Sequence, residues 1–227
     1  MHIPDGFIDA PVSLAAGAVA AASVGVCLRG ARRTLNEATA PLAGLVAVFV
    51  FAAQMINFPV GAGTSGHLMG AALAVILVGP YAGVLAITVV LLVQALFFAD
   101  GGLIALGLNI VNLAIIPALV VWPLFRLLTR WLGDSRIVVA IGAGTAGFLS
   151  VIGAAAGFSL EFFLGGTAPV DPATVAVAML GVHGVIGIVE GIVTALVILA
   201  VVAVRPDLVA GLRPLPKPSH AKEMVPA

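Results

Sequence analysis

The chain has 227 residues, of which 62% are hydrophobic and 9% charged, with 10 Lys or Arg against 10 Asp or Glu. An ordinary soluble domain carries roughly 25% charged residues, and so few charges cannot cover a surface of this size against water. Lipid has to cover it instead, which excludes a soluble enzyme, a disordered chain and a nucleic-acid binder, the last of which needs a basic excess. The single cysteine, Cys27, excludes a disulfide framework and a thiolate zinc site.

The first residues, Met1-His2-Ile3-Pro4-Asp5-Gly6, have no basic stretch and do not read as a signal peptide. Apolar runs at about 10–29, 41–58, 67–78, 81–98, 103–124, 137–160 and 173–203 then predict seven spans. The third run is short: about 12 residues reach only ~18 Å as a helix. It has to begin within the membrane depth, below the inserted loop Gly61-Ala62-Gly63-Thr64-Ser65-Gly66. Basic residues follow span one (Arg29, Arg32, Arg33), separate spans five and six (Arg126, Arg130, Arg136) and follow span seven (Arg205, Arg213, Lys217, Lys222). All lie on one side of a seven-span chain. The positive-inside rule then puts the N-terminus outside and the C-terminus in the cytoplasm. The expected fold is an all-α membrane protein with seven transmembrane helices. Residues 1–205 form a single transmembrane domain and 206–227, rich in proline, a low-order cytoplasmic tail. Stretches such as Ala15-Ala16-Gly17-Ala18 fit close helix packing or a docking face for a partner membrane protein.

Four polar features stand at membrane depth or on the outer side. At the N-terminus the α-amine of Met1, the amide nitrogen of His2 and its imidazole Nδ1 can close a five- and a six-membered chelate ring. That is a planar nitrogen set of the kind a tetragonal Ni(II), Cu(II) or Co(II) centre prefers. His67, beside the glycine loop, is the obvious fourth donor. The plain alternative is a disordered terminus with an incidental histidine. In span seven His183, Gly187, Glu190, Gly191 and Thr194 share one helical face, either as a polar clasp between helices or facing a cavity. Asp100, Asn109 and Asn112 form an outer polar set suited to orienting a metal-binding loop. His183 and Glu190 lie about 10 Å apart by helical rise and are expected to be support, not ligands.

The start Met1-His2-Ile3-Pro4-Asp5-Gly6-Phe7 resembles the CbiM/NikM family, the substrate-binding (S) membrane components of energy-coupling-factor cobalt and nickel importers. Gly63-Thr64-Ser65-Gly66-His67-Leu68-Met69-Gly70, Gln94 through Gly102, and His183 through Thr194 extend the resemblance over nearly the whole chain. It implies a metal held by the Met1 amine, the amide and imidazole of His2, and His67. Ser65, Asp100, Asn109, His183 and Glu190 are assigned to support. It also implies capture of Co2+, with Ni2+ close behind, as transported ion, to supply cobalamin synthesis. The implied partners are a transmembrane coupling protein, a pair of ATPase subunits and a small auxiliary membrane protein. The expected location is a bacterial inner membrane.

Two other readings compete. Gly63-Thr64-Ser65-Gly66 matches the GxSG of rhomboid intramembrane proteases and His183 their histidine helix, giving a Ser65/His183 dyad. Neither Trp122 nor Trp131 is followed by Arg, however, and the N-terminal block stays unexplained. A stand-alone secondary transporter would pair charges within the membrane, and only Glu190 is a deep acid. There is no Walker-type loop, so ATP hydrolysis belongs to separate subunits and the chain itself is not an enzyme.

Overall fold

The computed structural model describes residues 1–37, 39–56, 58–61 and 64–212. Over these the chain forms α1 (Ala10–Thr34), α2 (Thr39–Gln54), the antiparallel pair β1 (Phe58–Gly61) and β2 (Thr64–Gly66), α3 (Ala71–Val78), α4 (Pro80–Phe97), α5 (Leu106–Ile110), a π-helical segment Val111–Ile115, α6 (Ile116–Leu132), α7 (Arg136–Gly165) and α8 (Pro172–Val204). The α5, π and α6 pieces make one rod. Five rods (α1, α4, residues 106–132, α7 and α8) are long and apolar enough to cross a membrane. With 16 and 8 residues, α2 and α3 are shorter. The fold is helical as expected, but not wholly so: a short hairpin stands where a bare glycine loop was expected, with Pro59 opposite Ser65.

Local chemistry sets the boundaries. Asp9 and Asp171 accept from the backbone N–H of Val12 and Thr174 and so cap α1 and α8, each followed by a proline in the first turn. Pro117 has no N–H to give the carbonyl of Leu113, and the helical register widens into the π segment just ahead of it. Gly79, at φ 87°, ends α3 and starts α4. The α7–α8 crossing relies on missing side chains. A Cβ on Gly144 would lie 2.9 Å from the Gly191 carbonyl oxygen, and one on Gly191 2.8 Å from that of Gly144. Small residues here serve internal packing. By contrast α1 leaves Leu14, Val19, Val26 and Leu28 exposed.

The rods give the molecule two ends. At one, Asp9 N–H donates to Gly165 O at 2.7 Å, and Asp5 bonds the turn at 103–105. The N-terminal segment, the α4–α5 loop and the α7–α8 loop therefore meet there. At the other, Arg126 donates to Gly211 O at 3.1 Å, joining the far part of α6 to the segment beyond α8. That segment corrects the expected tail. Residues 206–212 are not low-order chain but two 3-10 turns, Pro206–Leu208 and Ala210–Leu212. Val209 between them is fully buried. Gly211 sits so close to Phe125 that a Cβ would come within 2.5 Å of its ring. Residues 213–227, His220 among them, lie outside the described residues.

All eight residues of α3 are buried, so this helix begins in the interior. Its first amides cannot reach water and need acceptors. That requirement builds the centre described next.

Candidate metal centre

The first three residues are drawn into the bundle. Met1 is 1% exposed, His2 7% and Ile3 0%. A buried extended segment has to satisfy its main chain, and each partner can be named. Asn109 Oδ1 accepts from Ile3 N–H at 2.7 Å and its Nδ2 donates back to Ile3 O at 3.1 Å. Gly102 N–H also donates to Ile3 O. The Asp5 carboxylate accepts from the N–H groups of Leu103, Ile104 and Ala105, where it caps the turn into α5. Thr167 donates through its hydroxyl to Gly6 O and through its amide to Phe7 O, and the Phe7 ring packs on Phe158 and Phe162. Gly102 is obligatory: a Cβ there would fall 2.0 Å from Asp5 Oδ1.

Asp100 reaches the centre because the chain turns back through a left-handed residue where α4 ends. Ala99 takes the left-handed conformation at φ 52°, and Asp100 N–H donates back to Gln94 O at 3.1 Å. The carboxylate then accepts from His2 Nδ1 at 2.8 Å. The His2 ring stacks on that of His67, centroids 4.5 Å apart and planes 27° from parallel. His67 is fully buried and its Nδ1 donates to Leu68 O at 2.8 Å. Behind it, the Glu190 carboxylate accepts from Met69 and Gly70 N–H, both at 2.8 Å, which supplies the acceptors that the start of α3 lacks. His183, on the same face of α8, is fully buried with its Nδ1 donating to Met179 O.

The electrostatics suit a metal ligand. Burial lowers the Met1 amine from 8.0 to about 5, and the Asp100 charge offsets only part of that. Burial likewise lowers the His2 imidazole, against the opposing pull of its bond to Asp100. Both nitrogens are then neutral near pH 7, with lone pairs available. Among the described residues no group of three His, Cys, Asp or Glu side chains is arranged to hold a metal ion. A metal bound here has to draw on main-chain nitrogen.

The structure thus brings Met1, His2, His67, Asp100 and Asn109 together, with Glu190 gripping the segment after His67. It differs from the expected chelate at one atom. His2 Nδ1, which the six-membered ring needs, is turned to Asp100, and Nε2 is the ring nitrogen with no partner. The side chain of Ser65 lies outside the described residues, so its assigned support role and the Ser65/His183 dyad have no geometry here.

Residues 2–208 match CbiM, the family described as cobalt uptake substrate-specific transmembrane region. The chain belongs to the CbiM family. It is 41% identical to a putative metal transport protein of Haloquadratum walsbyi, over 92% of this chain and 93% of that one. It is 40% identical to a putative fused nickel transport protein, NikMN, of Archaeoglobus fulgidus, over 92% of this chain and 68% of that one. A crystal structure of a transition metal transporter superposes with a TM-score of 0.80 at 30% identity, covering 90% of this chain and 93% of that one. These CbiM relatives are named as transport proteins, not proteases.

Sequence reasoning about this CbiM chain missed Gln54. It is fully buried at the end of α2, and its Nε2 donates to Met69 O at 2.7 Å, a second grip on the strand-to-α3 segment. A side-chain amide inside the apolar run 41–58 was the available signal. Asp5 and Thr167 were missed as anchors of the N-terminal segment. Asn112, read as part of the outer set, donates to Glu161 instead, beside Gly157, whose missing Cβ leaves room for it.

Proposed function

We propose that this chain is the metal-capturing membrane subunit of an energy-coupling-factor importer for Co2+ or Ni2+. One observation carries the reading. The N-terminal segment is buried so that the Met1 amine and His2 lie against His67 with their nitrogens unprotonated. The ion is taken by the Met1 amine, the His2 amide and imidazole, and Nε2 of His67. Loading turns the His2 ring, and Nδ1 leaves Asp100 for the metal. The ring takes its other tautomer, with its proton on Nε2, and the amide proton is released, so binding strengthens with pH. Neutral nitrogen donors disfavour Mg2+ and Ca2+, which prefer oxygen, and leave Co2+, Ni2+ and Cu2+ in their intrinsic order.

The subunit spans a cell membrane seven times with its N-terminus outside, as the placement of basic residues requires. Five rods long and apolar enough to cross a membrane, the two shorter apolar helices α2 and α3, and two distinct ends support that topology. Energy comes from separate ATPase subunits through a membrane coupling protein, with a small auxiliary membrane protein in the assembly, and imported cobalt serves cobalamin synthesis.

The test is the free amine. One residue added before Met1, or acetylation of Met1, shifts or removes the first nitrogen of the chelate. Equilibrium dialysis of the full chain in detergent with Co2+ or Ni2+ is expected to show binding lost in both forms. Unchanged affinity would overturn the chelate.

A further inference from the structure

On α1, Ala22, Val26, Arg29 and Arg33 stand at i, i+4, i+7 and i+11, which is one helical face. On α6, Leu119, Pro123, Arg126 and Arg130 repeat the same spacing in the same order, apolar and then basic. Both stripes run toward the end of the molecule where Arg126 meets Gly211. Their apolar members line one groove of about 510 Å³, with Tyr81 and Val84 of α4 between them. Pro123 also borders the next hollow, of about 320 Å³, which Thr129, Asp134 and the two α6 arginines line. The Arg126 guanidinium lies 5.7 Å from the centre of the Trp122 ring, which is itself a wall of the groove.

The dimensions of this feature are those of one membrane leaflet. Ala22 to Arg33 is about 16 Å along the helix at 1.5 Å per residue, and half of a hydrocarbon core is roughly 15 Å. The surface is apolar over the depth of acyl chains and basic at the depth of headgroups. Tyr81 and Trp122, rings with a polar edge, stand where such residues meet an interface. Val26 is 55% and Leu119 70% exposed, so the described chain leaves the groove uncovered. Arg29, Arg33 and Arg130 are exposed and make no ion pair among the described residues. Asp134 offsets one of the four positive charges, and the mouth stays basic on both walls.

We propose that this groove binds an anionic phospholipid of the cytoplasmic leaflet, with an acyl chain between α1 and α6 and its phosphate held by the arginines of both helices. Guanidinium groups match phosphate oxygens in geometry as well as charge, and basic pockets between membrane helices on the cytoplasmic side suit such headgroups. The choice of leaflet rests on the proposed orientation; the binding itself does not. The lipid bridges two helices at the end of the molecule opposite the N-terminal segment, so it takes no part in holding the metal.

The experiment reads Trp122 from inside the groove. In the full chain carrying Trp131→Phe it is the remaining tryptophan. The protein is placed in phosphatidylcholine vesicles, and phosphatidylglycerol or phosphatidylcholine with brominated acyl chains is added as quencher. Brominated phosphatidylglycerol is expected to quench Trp122 at a mole fraction lower by roughly tenfold or more. Arg33→Gln and Arg130→Gln each cut that preference by about fivefold, and together they abolish it. Arg136→Gln, exposed at the same end but outside both linings, leaves it unchanged. Equal quenching by the two lipids would overturn the proposal and leave an apolar face for a protein partner. So would a preference that survives the double variant, which would reduce it to general attraction to a charged surface. Quenching by neither lipid would show the groove closed to acyl chains and would overturn it as well.

Discussion

At His2 the two ring nitrogens have different surroundings, and at Met1 an amine has none of the water it prefers. Both facts carry a pH dependence. An unfolded amine keeps its proton up to about pH 8, whereas the buried one releases it at about 5. Between those values the unfolded chain binds more protons, so stability rises with pH across that window, by up to about 1.4 kcal/mol per pH unit. The lowered His2 imidazole acts in the same direction. The melting temperature of the metal-free chain should therefore fall as the pH is taken from 8 toward 5. A flat profile would mean that the amine is not buried. At His67 the expectation is simpler. His67→Ala removes one of four donors while water replaces the ring, so metal affinity drops strongly and the fold survives. Dialysis of His67→Ala beside His220→Ala checks it, with the second variant expected to bind as wild type does.

At the scale of elements, the short α3 depends on its neighbours for a beginning. A helix that starts inside the bundle leaves amides that only another chain segment can satisfy, and Glu190 and Gln54 supply the partners for Met69 and Gly70. In Glu190→Gln one acceptor becomes an NH2 facing an N–H. One bond is lost and a donor is left unsatisfied, at about 1–3 kcal/mol. The metal-free protein should melt earlier and transport should fall, while the nitrogen count around the ion stays the same. A changed count would move Glu190 into direct contact with the metal. The helical rods were legible in the sequence because each is a continuous apolar run. The carriers of this centre were legible only in part. Met1, His2 and His67 announce themselves by chemistry. The partners of the N-terminal segment lie about a hundred residues or more away, as with Ile3 and Asn109 or Gly6 and Thr167. Contacts of that kind leave no local period to read. The side of the His2 ring that faces Asp100 was likewise illegible, because it depends on how α4 ends at Ala99.

For the whole molecule, the two ends differ in charge. Arg126, Arg130, Arg136 and Arg205 gather toward one, while Asp5, Asp9, Asp100 and Asp171 stand toward the other. In a Cys27→Ala background, Pro169→Cys should react with a membrane-impermeant thiol reagent added outside intact cells. Trp131→Cys should react only after the membrane is opened, since both positions are exposed at opposite ends. The reverse pattern would invert the proposed orientation.

The anchoring of the first nine residues also fixes the order in which the protein is made. Its last partners, Gly165 and Thr167, are synthesised about 160 residues after Gly6. Synthesis proceeds at roughly 5–20 residues per second. The amino terminus therefore waits unanchored for some seconds to half a minute while the helices that will enclose it are still emerging. Closing so long a loop costs only slightly more than closing a short one, so the delay imposes little thermodynamic penalty. It does impose a sequence of events. The proposed centre is assembled last, from the first residues made, and a nascent chain has no finished place for a metal until Glu190 of α8 has been delivered.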